Sequence, residues 1–453
     1  MDWVSWVGGS FFPEAGLTGF LPFGWEDRLT LMAWVEALFQ RMPLPENTRL
    51  TFRNELWRSV PAGVLETLTT TFGMLIAVRV FDLGDLAKSV FLSSTAGGLM
   101  VSLFVVPMLL RLRSTISRTA AQVQYVGSVA MAVAALFPKS PACFIAGLSV
   151  GLFCFSMQIP LLTQIYRINY PQRVRGRLFS ISAVVRSMAA MCFGFLGGLV
   201  LGWDVENYTW LLWAFAASGL VSGFWTQGLP TVDWTPPEEK HKRLWSSWRW
   251  VAVDRDFRTI LIAWMVMGFG TLIASCLFVE YLANPVHGVN LPEQSIAWVV
   301  GVMPVMMRVV FAYPWGMVYD RVNFFTVRAS LNVVFAAAIL CFYMGGGIKA
   351  WTVGMALFGF ANAGGNVAWS LWVTKLAPKH AVAEYMSVHT FLTGVRGLIA
   401  PFVAFALIRH VSFEMVGIMS AVAILSASGF ITVSARSEDS DPEGRLGVGR
   451  VVE

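Results

Sequence analysis

Four charged side chains stand inside long apolar stretches of this 453-residue chain: Glu66, Arg186, Arg308 and Arg396. An ionised group at the centre of a bilayer costs about 2.5–3.5 kcal/mol on insertion scales, so each needs a partner or a wet cavity. An acid so placed can take a proton from one side of a membrane and release it on the other once it meets water. Glu66 is therefore the candidate for proton coupling, with a structural ion pair to one of the arginines as its alternative. Guanidinium groups bind carboxylate or phosphate in two-pronged fashion, which makes Arg186, Arg308 and Arg396 candidates for holding an anionic solute. Helix packing is the competing reading for Arg186 and Arg396. Asn362 and Asn366 lie one helical turn apart with Trp369 and Trp372 beyond them, a pairing suited to a polar, sugar-like ligand or to hydrogen bonding between helices. His389 is read as a solvent-facing structural residue.

These residues need a scaffold that spans lipid, and composition supplies it. Hydrophobic residues make up 56% of the chain and charged residues only 13%, where a soluble chain carries about a quarter. Mean hydropathy is +0.63. Apolar stretches near the 20 residues needed to cross a bilayer recur throughout. They predict spans at 56–81, 87–110, 120–137, 142–165, 178–201 and 209–228, then at 258–283, 293–318, 327–344, 350–375, 385–408 and 412–434. This is an all-α polytopic membrane protein with twelve transmembrane helices. The expected domains are a cytoplasmic N-terminal segment (1–55), a six-helix bundle (56–228), a central loop (229–257), a second six-helix bundle (258–434) and a polar tail (435–453). Within the first segment, residues 27–42 read as an amphipathic helix lying on the membrane surface or docked on the bundle.

Basic residues fall mainly on one side. Arg111, Arg113, Arg118, Arg167, Arg173, Arg175, Arg177, Arg321, Arg328, Lys375 and Lys379 share it with the central loop. Only Arg79, Lys88, Lys139, Lys349 and Arg409 fall on the other. The positive-inside rule puts both termini in the cytoplasm, and the expected location is a bacterial inner (plasma) membrane. The pI near 9.2 thus reflects topology, and no nucleic-acid partner is expected. The five cysteines are scattered singly, without metal or redox spacing. No nucleophile–base constellation appears, so no enzyme activity, cofactor or metal is expected.

The halves repeat. Thr71–Ala77 (TFGMLIA) matches Gly268–Ala274 (GFGTLIA) at an offset of 197, while Pro107 with Pro314 and Pro171 with Pro378 share an offset of 207. Such order fits a parallel repeat of two bundles. Six plus six spans, a basic central loop and parallel repeats resemble the major facilitator superfamily. So does Gly316-Met-Val-Tyr-Asp320-Arg321, which is similar to that family's G-x-x-x-D-R loop motif. Span 4 carries no arginine and the span 5 run Gly194-Phe-Leu-Gly197-Gly198 lacks the proline of the family's drug exporters, which disfavours drug export.

The resemblance implies a monomeric secondary transporter that moves a small polar organic solute by alternating access, coupled to protons, with the lipid bilayer as its surroundings. The alternative is a transporter-like receptor, regulator or assembly factor. In the family's architecture the loop after span 2 faces span 11 and the loop after span 8 faces span 5. The 207 offset pairs Arg113 with Asp320 and Arg177 with Glu384, with signs exchanged between the halves. A cytoplasmic gate is therefore expected from Arg113 with Glu384 and Asp320 with Arg177, beside Gly316 and Arg321.

Overall fold

The computed structural model describes residues 44–110, 115–230, 248–377 and 382–440. The predicted surface helix at 27–42, most of the central loop and Arg113 lie outside them. So do the side chains of Asp320 and Glu384.

The described residues form twelve long helical rods, eight of which meet the length and apolarity needed to cross a membrane. In chain order α1 runs from Glu46 to Arg79, α2 is Asp85–Leu110, α3 is Ile116–Leu136 and α4 runs from Pro141 to Asn169. Then α5 is Gln172–Trp203 and α6 is Tyr208–Gln227. The second half holds α7 from Arg255 to Ala283, α8 from Glu293 to Arg321 and α9 at Phe324–Met344. It ends with α10 at Ile348–Leu376, α11 at Val382–Leu407 and α12 at Phe413–Ser440. Helices satisfy their own backbone groups, which is what lipid demands.

Starts are capped by short polar side chains. Ser140 Oγ accepts from Cys143 N ahead of α4, Asp254 Oδ1 from Phe257 N at 2.9 Å ahead of α7, and Asn323 Oδ1 from Phe325 N at 2.8 Å ahead of α9.

The repeat is visible in the packing. In the first half α1 packs on α5 and α6, α2 on α4, and α3 on α4 and α6. In the second half α7 packs on α11 and α12, α8 on α10, and α9 on α10 and α12. Every pair has its counterpart six helices on. Gly147 of α4 lies against the backbone of Ala130 in α3, and Gly354 of α10 lies against the backbone of Ala338 and Phe342 in α9. Those two glycines stand at the same 207 offset as the prolines, and each lets two helices approach closely. Between the halves α2 meets α11 and α5 meets α8, the two contacts a twofold axis along the rods would exchange.

The helices exceed the predicted spans where polar residues find partners inside the bundle. Hydropathy starts the first span at 56, yet α1 begins at Glu46. Arg58 donates through Nε and Nη2 to both Glu55 oxygens at 2.7 Å and to Tyr166 Oη at 3.2 Å. Asn169 Nδ2 donates to Thr51 Oγ1 and to the Pro230 carbonyl. With α5 starting at Gln172, Arg186 sits at mid-helix and not early in its span. Arg328, counted above as a loop charge, lies inside α9 and is 2% exposed. Lys88, also counted as a loop charge, is buried in α2.

Candidate functional site

Glu66 lies just before a place where α1 widens. Residues Leu68–Phe72 form a π segment between Glu46–Thr67 and Gly73–Arg79. In α8 a second π segment, Ala297–Val302, precedes Met303–Arg321. Such single wide turns recur at functional sites. The two meet across the interface, where Gly301 lies against Thr71 Oγ1. Both rest on the glycine run of α5: a methyl group on Gly197 would fall 2.6 Å from the Phe72 ring, and one on Gly198 would fall 2.5 Å from Ala297 Cβ.

This frame brings three of the four membrane charges together. Arg308 Nη2 donates to Glu66 Oε1 at 2.5 Å, and Arg186 Nε stands 3.4 Å from Glu66 Oε2. Arg308 Nη2 also reaches Ser187 Oγ at 3.3 Å. Glu66 thus links α1 to α5 within its own half and to α8 of the other half. One carboxylate facing two guanidiniums leaves a net positive charge.

A cavity of about 470 Å3 opens beside this cluster, between the halves. Glu66, Thr70, Thr95, Arg308, Asn362 and Thr393 are among its polar lining residues, and aliphatic and phenyl groups form much of the remaining wall. Its size falls in the range of small-molecule sites. Buried Thr95 Oγ1 and Thr393 Oγ1 have no hydrogen-bond partner among the described residues, which leaves two hydroxyls available to a solute.

The remaining expected site residues separate. Asn362 borders the cavity, whereas Asn366 is exposed. Trp372 is fully buried among Phe257, Trp264 and His389, so it is core. His389 is likewise wholly buried and not solvent-facing, because three indoles surround it. Arg396 borders the cavity but turns its Nη1 to the Trp264 carbonyl at 2.6 Å. Room for it comes from Gly268, where a Cβ would lie 1.8 Å from that Nη1. We expect Gly268→Ala to cost about 1–3 kcal/mol, the scale of overpacking, seen as a lowered thermal midpoint in detergent. An unchanged midpoint would mean that the guanidinium moves aside freely. At the face where α1 begins and α12 ends, here the terminal face, Arg177 and Arg321 are exposed and Gly316 has open space where a Cβ would stand.

Hydropathy reading missed the opposite, or far, face. There Lys88 Nζ of α2 lies 2.9 Å from both oxygens of Glu280 in α7, with side chains 4% and 2% exposed. Asn284 Nδ2 donates to the same carboxylate, and His287 Nε2 stands 3.4 Å away. Arg79 bonds Asn290 and the Leu291 carbonyl and pairs with Glu293 at 3.3 Å. Arg409 Nε meets Asp85 Oδ2 at 2.7 Å, and Ser93 Oγ donates to the Leu398 carbonyl at 2.8 Å. The Lys88, Arg79, Arg409 and Ser93 bonds join the halves at the far face, while Asn284 and His287 hold Glu280 from within the second half. The available signal was a lysine just inside the start of one span and an acid just inside the end of another.

The family model of the major facilitator superfamily matches residues 58–401. No curated protein sequence matches the chain. Among solved structures, the chain is similar to a mutant of the nucleoside transporter NupG, at 14% identity and TM-score 0.69 over 85% of this chain and 99% of that one. A POT family transporter in complex with a thioalcohol-conjugated peptide follows at 12% identity and TM-score 0.67, covering 87% and 96%. A D-xylose–proton symporter gives 13% and 0.60, covering 85% and 96%. With two six-helix halves, a cavity between them and a matching family model, the chain belongs to the major facilitator superfamily of membrane transporters.

Proposed function

We propose that this protein is a proton-coupled secondary transporter for a small polar organic solute bearing a negative group, working by alternating access. The observation that carries the reading is the Glu66–Arg308–Arg186 cluster, which ties the halves together at the wall of the central cavity. The cluster has one acid for two guanidiniums, so an anionic group completes its charge balance. The hydroxyls of Thr70, Thr95 and Thr393 and the amide of Asn362 serve the rest of a polar solute. A proton arriving on Glu66 removes the charge that holds Arg308, frees the halves at this point and opens Arg308 to exchange of solute.

The far face is sealed by the Lys88–Glu280 and Arg79–Glu293 pairs, which corresponds to a cavity reached from the terminal face. The terminal face is the cytoplasmic one by loop charge, so the conformation is inward-facing. Closure there in the alternate state falls to Arg113 with Glu384 and Asp320 with Arg177.

The test is uptake into proteoliposomes with an imposed pH gradient, after a thermal-shift screen of carboxylates, phosphate esters, nucleosides and sugars. A carboxylate or phosphate ester should stabilise the protein and accumulate in response to the gradient. Stabilisation by neutral sugars alone would overturn the anionic assignment. Uptake that ignores the gradient would overturn proton coupling.

A further inference from the structure

The second half contains a buried group of donors that the transport cluster does not use. Arg328 of α9 and His389 of α11 are 2% and 0% exposed, and Trp264 of α7 and Trp372 of α10 are 3% and 0% exposed. Four helices therefore converge on one point, and Trp264 is its hub. The Arg328 guanidinium carbon lies 4.3 Å from the Trp264 ring centre. Arg396 bonds the Trp264 carbonyl. The rings of His389 and Trp372 lie 5.4 and 5.8 Å from that of Trp264, and 5.0 Å from each other.

What these groups lack is an acceptor. Arg328 Nη2, Arg396 Nε, the indole nitrogens of Trp264 and Trp372, and both ring nitrogens of His389 are buried without a hydrogen-bond partner among the described residues. Among the described residues no carboxylate pairs with either arginine, although both guanidiniums are held at Trp264, one against its ring and one at its carbonyl. Guanidinium and indole groups only donate, and a neutral imidazole contributes a single acceptor. Stacking on Trp264 offsets part of the cost of Arg328, yet an unpaired buried charge remains expensive. Water suits such a lining poorly, since its own hydrogens would find at most one acceptor. A negative ion that only accepts suits the guanidinium, indole and imidazole N–H donors together, and leaves aside only the acceptor nitrogen of a neutral His389.

We infer that the second half binds a small inorganic anion of the chloride class between Arg328, Arg396, His389 and the indoles of Trp264 and Trp372, as a resident ion distinct from the transported solute. The ion neutralises two cations that would otherwise repel across the packing of α7, α9, α10 and α11. It acts on the shape of this half and on Arg396, whose other side borders the central cavity.

Equilibrium dialysis of the purified full chain against radiolabelled chloride tests this, with thermal unfolding in sodium chloride and sodium gluconate at equal ionic strength beside it. Saturable binding is expected, together with a thermal midpoint that rises with chloride and not with gluconate. Arg328→Met should abolish both. Because that variant removes a large core side chain, Trp372→Phe serves as the second: it keeps an aromatic ring, deletes one donor and should weaken chloride binding by about tenfold, the effect of losing one hydrogen bond to a charge. No saturable chloride binding by the wild type would overturn the site. So would equal midpoints in the two salts, or Trp372→Phe binding chloride as tightly as wild type.

Discussion

Lys88→Met is expected to unlock the far face. In the wild type the Lys88 ammonium satisfies both oxygens of a carboxylate that Asn284 also holds, and neither ion of the pair reaches water. Methionine keeps the length and apolar body of the side chain and leaves Glu280 charged, buried and short of its main partner. Breaking a buried pair from one side costs about 3–5 kcal/mol. That cost falls only on the conformation in which α2 and α7 touch. The alternate conformation, with the far face open to water, does not bear it. At about 1.4 kcal/mol per factor of ten, the population should shift toward far-face-open by roughly two to three powers of ten.

A cysteine placed at Ser93, buried where α2 meets α11, reports the change in a background freed of the native cysteines. A membrane-impermeant thiol reagent added at the far face should label it rapidly in the Lys88→Met protein and slowly otherwise. Adding Glu280→Leu removes the stranded charge and should return labelling toward the wild-type rate. Equal labelling in all three proteins would show that the pair contributes nothing to closure.

Glu66→Gln is expected to abolish accumulation against a gradient while exchange across the membrane persists. Glutamine has the shape of the carboxylic acid and cannot lose a proton, so it mimics the protonated state permanently. Arg308 and Arg186 then lose the one acid they share, while Ser187 Oγ stays within reach of Arg308. Solute recognition through Arg308 should survive, and the proton's hold on the contact between halves should not. In proteoliposomes carrying the solute found by the screen, counterflow is expected within a few-fold of wild type, with uphill uptake reduced to equilibration. The pH dependence of uptake should flatten as well. A Glu66→Gln protein that still concentrates solute at the wild-type rate would remove Glu66 from coupling and leave it a structural ion pair.

Much of this molecule is written along the chain. The number of rods, their grouping as six and six and their parallel repeat follow from apolar run length and from recurring prolines and glycines. Apolar runs of about 20 residues can satisfy their backbone groups in lipid by forming helices. The charges of the Glu66 cluster were equally legible, because Glu66, Arg186 and Arg308 stand out against an apolar background whatever their partners.

Tertiary structure decided who meets whom. Neither π segment has a clear mark in the sequence, and their meeting over the α5 glycines puts Glu66 within reach of Arg308, 242 residues away. Hydropathy ranks residues by the cost of leaving water alone and is blind to partners that remove the cost. It therefore trimmed the polar start of α1, where Glu55 and Arg58 satisfy each other. Lys88 and Arg328 fell at the edges of their spans and were counted with the loop charges, although one is buried against an acid of the other half and the other is stacked on an indole. Hydropathy also read His389 as wet, although the three tryptophans that bury it come from α7 and α10, and the folding of those helices around α11 is what takes the water away.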